Sequence, residues 1–270
     1  MLPVYAFLPI FVAILSSIFQ VSPMVGWFRG DTLGNAATLE ATSAVPGSQA
    51  NRNRPTETGI LRGRARIGEG LVGTGFALGG GADAFLLPSA FRIPSQNFTI
   101  EAWIRRSNPD ITALDGMAGK ALANRRNGLA FGLTHAGQLY LRQIGSEPVL
   151  STTAIRDLDW HHVACVRNNG EVRFFLDGVL VTTAVCMHQF DLAGPYAIGG
   201  LGLPLVSESG TAQWFGFLGN IDELSVYDGP VDASVIRAIH AARSAGKSLV
   251  PEGRRKRPPT APARSIPGRP

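Results

Sequence analysis

Twenty acidic side chains are spread over 270 residues, and their spacing decides what chemistry they can do. Retaining hydrolysis of a glycoside needs two carboxyl groups about 5–5.5 Å apart. On a β-strand that means two positions of one face, two residues apart. Asp222 and Glu223 are adjacent, so a regular strand sends them to opposite faces. They read as groups that hydrogen-bond loops at a sheet edge. Asp157 and Asp159 have the two-residue step but precede Trp160 in a loop, and no Glu follows them. Glu101 stands alone in its strand. His161 and His162 diverge for the same reason as the acidic pair and are poorly placed to share a metal ion. The expectation there is that Trp160 and one histidine pack at a strand start. No Ser sits in a Gly-x-Ser-x-Gly context, and neither Cys165 nor Cys186 carries a catalytic signature. Gly79-Gly80-Gly81 lacks the following Lys-Ser/Thr and helix of a phosphate loop. The chain is expected not to be an enzyme.

Recognition has better candidates. Trp214 and Phe215 lie in a loop before the last predicted strand, where aromatic faces can stack on a sugar. They are the candidate ligand-binding residues, core packing being their other use. Ser107–Arg126 reads as a long loop between two strands that can contribute to binding. Asn97-Phe98-Thr99 is a glycosylation sequon at a strand start.

The elements that would position these groups are short and β-rich. Phe98–Ile104, Leu129–Thr134, Gln138–Gln143, Trp160–Arg167, Val172–Leu176, Val179–Val185, Tyr196–Gly199 and Gly219–Tyr227 are separated by Gly, Asn, Asp and Pro. That spacing is the pattern of an all-β sandwich or barrel. Asn169-Gly170 and Asp177-Gly178 are two-residue hairpin turns and set a three-stranded meander. Counting from them, Cys165 faces Phe174 and Phe174 faces Val181. Both faces of the meander are apolar, so cover is expected on both sides. Cys165 then sits on one outer strand and Cys186 just beyond the end of the other, and outer strands about 9.6 Å apart are too far for a disulfide, which needs Cα atoms within about 7 Å. Asp232 is the expected cap of a helix over Ala233–Ser244, with Val235, Ile236, Ile239 and Ala242 on one stripe and Gly246 beyond its end. Asn51–Arg66, with five arginines, reads as a surface excursion after the first strand.

Composition bounds the rest. Hydrophobic residues are 45% and charged residues 17%, which excludes a disordered chain or a charged coiled coil. Of the net +5, residues 246–270 hold +6, from seven basic residues against Glu252, which leaves about −1 for the remainder. The folded part is therefore not expected to bind nucleic acid. Residues 1–22 carry no charged side chain and read as a signal peptide or membrane anchor. Residues 23–245 form the expected domain, and 246–270 a disordered basic Pro/Arg-rich tail.

Several segments resemble the LamG-like jelly-roll family of the concanavalin A-like lectin/glucanase fold, laminin G and pentraxins included. They are Val25–Asp31, Ala84–Pro88, Phe98–Ile104, Trp160–Ala164 with Val172–Leu180, and Phe217–Asp228 leading to Asp232, all in family order. The resemblance implies a two-sheet antiparallel jelly-roll sandwich with one short C-terminal helix. It implies a secreted or cell-surface recognition module whose partner is a glycan or an extracellular protein. The alternatives are a glycoside hydrolase of the same fold or a purely structural cell-surface domain. The Glu-x-Asp-x-(x)-Glu signature of the fold's glycosidases is missing. Relatives hold Ca²⁺ on a rim loop, and Asp83 is the position that corresponds, making it the candidate metal ligand. Its neighbours are Ala82 and Ala84, and the later loop Gly199–Gly210 offers only Glu208. A calcium shell needs six to eight oxygens. The cysteines of the pentraxin bridge would fall at Glu101 and Ala164, so that bridge is missing too.

Overall fold

The computed structural model describes residues 22–30, 59–114, 118–124, 128–200, 205–206, 212–213 and 216–243. The hydrophobic N-terminal stretch up to residue 21, Trp214, Phe215, Gly246 and the basic tail lie outside the described residues.

The strands are β1 (Met24–Phe28), β2 (Ile60–Arg62), β3 (Arg66–Glu69), β4 (Thr74–Gly81), β5 (Ala84–Leu86), β6 (Phe98–Arg106), β7 (Ala118–Ala123), β8 (Leu129–Thr134) and β9 (Gln138–Gln143). They continue as β10 (Val149–Ala154), β11 (His161–Asn168), β12 (Glu171–Leu176), β13 (Val179–Val185), β14 (Ala197–Ile198), β15 (Leu205–Val206), β16 (Ala212–Gln213) and β17 (Gly216–Asp228), and one helix follows, α1 (Ala233–Ala242). A front sheet runs β2-β5-β14-β7-β8-β9-β10, antiparallel throughout. A back sheet runs β3-β4-β17-β6-β11-β12-β13, with β1 also paired to β17. The single Gly216–Lys120 bridge joins them. The chain is the expected all-β sandwich.

Alternation builds the core. Ile100, Ala102 and Ile104 of β6, Val163 and Cys165 of β11, and Val172 and Phe174 of β12 face Leu129, Phe131, Leu139 and Leu141 of the front sheet. The opposite face of the meander is apolar too, and α1 covers it: Ala164, Val166 and Phe175 pack with Tyr227, Val231 and Ile236. Burying Ile236 alone contributes about 1.5–3 kcal/mol. Both hairpin turns have the left-handed residues their type demands, with φ of 48° and 82° at Asn169-Gly170 and 50° and 77° at Asp177-Gly178.

Four expectations need correction. A register shift between Phe174 and Phe175 places Phe174 opposite Thr182, not Val181, because the bulge adds one residue to the pair. Ser107–Arg126 is not one loop, since Ala118–Ala123 forms β7 between β17 and β8. Asn51–Arg66 is not all excursion, since β2 pairs with β5 and Arg66 opens β3. Asp232 caps α1 without its side chain: its carbonyl accepts from the N–H groups of Val235 and Ile236. Cys165 and Cys186 are both free and buried, and burial pushes the Cys165 thiol well up.

Candidate functional site

The outer face of the back sheet is divided. Over β11 and β12 it lies under α1. Over β3, β4, β17 and the end of β6 it forms an open trough of about 330 Å³. Its floor is made mostly of small residues, Gly68, Ala77, Gly79 and Gly219, with the half-buried Leu218 opposite Gly79. Gly219 is obligatory there: its φ is 149°, and a Cβ would collide with the Arg105 carbonyl. The walls are Arg66, Glu69, Arg105, Ser107 and Asn220. Arg105 donates to both oxygens of Glu69, at 2.9 and 3.4 Å, and that pairing holds the Glu69 carboxyl below its ordinary range. Its guanidinium also lies 5.0 Å from the Trp160 ring centre. Asn220 Nδ2 donates to the Glu69 carbonyl. Planar forks and amides fixed around a floor of mostly small residues suit a small polar ligand rich in hydroxyl or acidic oxygens.

Asp83 sits beside the trough floor, its Oδ2 2.9 Å from the place a Cβ on Gly79 would occupy. It is 2% exposed, and its oxygens accept the N–H groups of Arg64 at 2.6 Å and Gly79 at 2.7 Å. The clamp ties the β2–β3 turn, where Gly63 has φ 67°, to the trough floor. Both oxygens are thus committed to backbone donors. No group of three His, Cys, Asp or Glu side chains able to hold a metal occurs among the described residues.

A second recess of about 330 Å³ is lined by Pro109, Asp110, His135, Ala136 and Arg156. His135 Nδ1 accepts the Thr112 N–H, so in neutral His135 the ring proton resides on Nε2. Arg106 holds the loops from beneath, donating to the carbonyls of Ile155 and His135.

His161 Nδ1 and Nε2 each lie 2.7 Å from a carboxylate oxygen, of Asp177 and Asp157 respectively. The Asp177 bond first, with Asp157 adding to it against burial, lifts His161 to about 9. Burial would raise Asp177, but the bonds from His161 and the His162 N–H outweigh it and hold it low. The turn residue Asp177 therefore also anchors the start of β11. His162 is fully buried, with Nε2 3.0 Å from Glu101 Oε2 and its ring 5.3 Å from that of Trp103. Tyr227 Oη donates to the other Glu101 oxygen at 3.3 Å.

Trp160 and His162 occupy the strand start as expected, but Glu101 does not stand alone: the β6–β11 register brings it to His162. Asp222 and Glu223 depart from simple alternation, because a bulge with Glu223 at φ 54° interrupts β17. Asp222 accepts the Val72 N–H at 2.9 Å, and Glu223 accepts the Trp27 Nε1 proton at 3.0 Å. Asn97 is held by Asn169 through both amide atoms, and the buried Thr99 hydroxyl donates to the Gly229 carbonyl. Outside the trough, Lys120 on β7 is buried, and burial followed by the charge of Arg142 draws it down to about 8. The trough itself was missed in the sequence. Its glycines and arginines come from four strands, and the one visible signal was the arginine-rich run that ends at Arg66.

No curated protein sequence matches the chain. Among solved structures, domain 4 of AbnA, a GH43 extracellular arabinanase from Geobacillus stearothermophilus in complex with arabinotriose, superposes with a TM-score of 0.56 at 15% identity, covering 81% of this chain and 98% of that one. The binding domain of botulinum neurotoxin DC in complex with SialylT gives 0.55 at 11% identity, over 82% of this chain and 51% of that one. The binding domain of Paraclostridial mosquitocidal protein 1 gives 0.54 at 13% identity, over 81% and 52%. At such identities these likenesses speak for the fold. The family model described as the concanavalin A-like lectin/glucanases superfamily, Laminin_G_3, matches residues 79–237. With more than half of the chain matched and the two antiparallel sheets in place, this chain belongs to the Laminin_G_3 family of the concanavalin A-like lectin/glucanases superfamily.

Proposed function

We propose that this chain is a non-catalytic carbohydrate-recognition module, exported or held at a cell surface. Residues 1–22 serve as its signal peptide or anchor, 23–245 as the binding domain and 246–270 as a basic tail. The observation that carries the reading is the trough, where Arg66, Glu69, Arg105 and Asn220 surround a floor of Gly68, Ala77, Gly79 and Gly219. Planar guanidinium, carboxylate and amide groups engage neighbouring sugar oxygens in pairs, and the small floor residues leave room for a ring. The walls stand on paired strands, so the site is held in shape before the ligand arrives. The arabinotriose complex of the arabinanase domain and the SialylT complex of the neurotoxin binding domain support a sugar as the ligand of such a sandwich. Trp214 and Phe215, directly before Gly216 in the sequence, are proposed to supply a stacking face. Asp83 is proposed as the acidic group of this rim, organising its backbone or, with oxygens from elsewhere, holding Ca²⁺.

The test is retention of the full chain on a polysaccharide array, with Ca²⁺ or EDTA, while released reducing ends are assayed. Retention without release, lost in Asn220→Ala and reduced in Trp214→Ala, is the expected result. Reducing ends that disappear when one Asp or Glu is substituted would overturn the non-catalytic reading. A blank array would overturn the carbohydrate reading.

A further inference from the structure

The trough holds more positive charge than its own chain neutralises. Arg66 and Arg105 line it. A third guanidinium reaches it from the β2–β3 turn: Arg64 Nη2 lies 3.8 Å from the place a Cβ on Gly79 would occupy. Two carboxylates answer these three guanidinium groups: Glu69, which Arg105 engages through two contacts, and Asp83, which lies 2.9 Å from that same Cβ position and is committed to two backbone N–H groups. Arg64 and Arg66 make no side-chain ion pair among the described residues. Arg64 is not a wandering surface side chain at its root, because its N–H is clamped to Asp83, whose other oxygen holds the Gly79 N–H of the floor.

We infer that the trough selects acidic glycans, seating a saccharide carboxylate or sulfate between Arg64 and Arg66 while Arg105 stays paired with Glu69. The inference rests on the reading of the trough as a carbohydrate site. A guanidinium presents two parallel N–H donors to a planar carboxylate or to a sulfate, and two such forks over a floor of mostly small residues let the anion approach closely. A sugar fits better than a long phosphate chain. The trough offers about 330 Å³, the volume of a small-ligand site.

The experiment compares the full chain on polygalacturonate (carboxylated), dextran sulfate (sulfated), linear arabinan (neutral) and duplex DNA, at low and high NaCl. Wild type, Arg64→Ala/Arg66→Ala, Arg64→Lys/Arg66→Lys and Arg237→Ala are run side by side, the last removing a charge from exposed α1. Expected is retention on the carboxylated or the sulfated polymer, weakened by salt, with affinity falling about tenfold or more in the double alanine variant. The lysine variant recovers part of it, and Arg237→Ala leaves it unchanged. Which of the two polymers is held identifies the acidic group. Arabinan held as tightly, with no response to salt or to the double variant, overturns this inference and leaves the carbohydrate reading standing. DNA held as tightly as the acidic sugars also overturns it. No polymer held at all overturns the carbohydrate reading and this inference together.

Discussion

Asp83→Ala is the perturbation whose cost can be followed from atoms to function. The carboxylate is buried, and each oxygen holds one backbone N–H, of Arg64 at 2.6 Å and of Gly79 at 2.7 Å. Bonds to a charged acceptor are worth about 1.5–3 kcal/mol each. Arg64 is exposed, so its N–H recovers a water in the variant and part of that loss is returned. Gly79 lies in a strand and recovers less. A net cost of about 2–4 kcal/mol follows. At about 2–4 °C per kcal/mol for a domain of this size, the unfolding midpoint falls by about 5–15 °C. Asp83→Asn keeps the shape and one acceptor oxygen but turns an amide donor toward the second N–H, so its midpoint falls between the other two. Thermal unfolding at pH 7 followed by circular dichroism measures all three. Below every midpoint, the alanine variant also binds acidic glycan more weakly, because the turn that carries Arg64 is no longer tied to the floor. A midpoint within about 2 °C of wild type would refute the clamp and with it the positioning of Arg64.

Three other outcomes follow from the same coordinates. His161 is lifted to about 9 in the folded state from an ordinary 6.5, so its contribution is complete below about 6.5 and is lost as pH rises through about 9; midpoints measured from pH 6 to pH 10 decline through that window, and His161→Gln flattens the decline. Glu101→Ala takes from the fully buried His162 its hydrogen-bond partner and loses about 1–3 kcal/mol in denaturant unfolding, whereas Glu101→Gln, which keeps a hydrogen-bonding oxygen, loses less. Cys165 and Cys186 are buried thiols, and burial keeps Cys165 protonated; native protein is expected to react with a thiol reagent orders of magnitude more slowly than protein in denaturant, where both react.

The meander shows how far a local code reaches. Asn-Gly and Asp-Gly adopt left-handed conformations at low cost, so the two turns and the pairing of β11 with β12 could be counted out from them. The count failed at Phe174, where a bulge moved the partner to Thr182, because a bulge answers to packing on the neighbouring faces and leaves no mark in the residues themselves. Asp222 and Glu223 fell to the same cause: alternation assigns them to opposite faces, and the bulge at Glu223 turns that carboxylate to Trp27. Glu101 looked solitary because its partner is 61 residues away, and only the pairing of β6 with β11 brings His162 to it.

Strand periodicity, turn chemistry and the apolar stripe of α1 are set by short-range sterics and by burial of alternating residues, so the sandwich, the meander and the helix that covers it are legible in the residues. The trough is another matter. Its floor and walls are drawn from β3, β4, β6 and β17, and Arg64 enters from a turn that is pinned by Asp83. Which glycines lie side by side, and which guanidinium finds no carboxylate, depend on strand order and register across about 150 residues of chain. Those are products of the packed core, and so the site was decided by the tertiary structure alone.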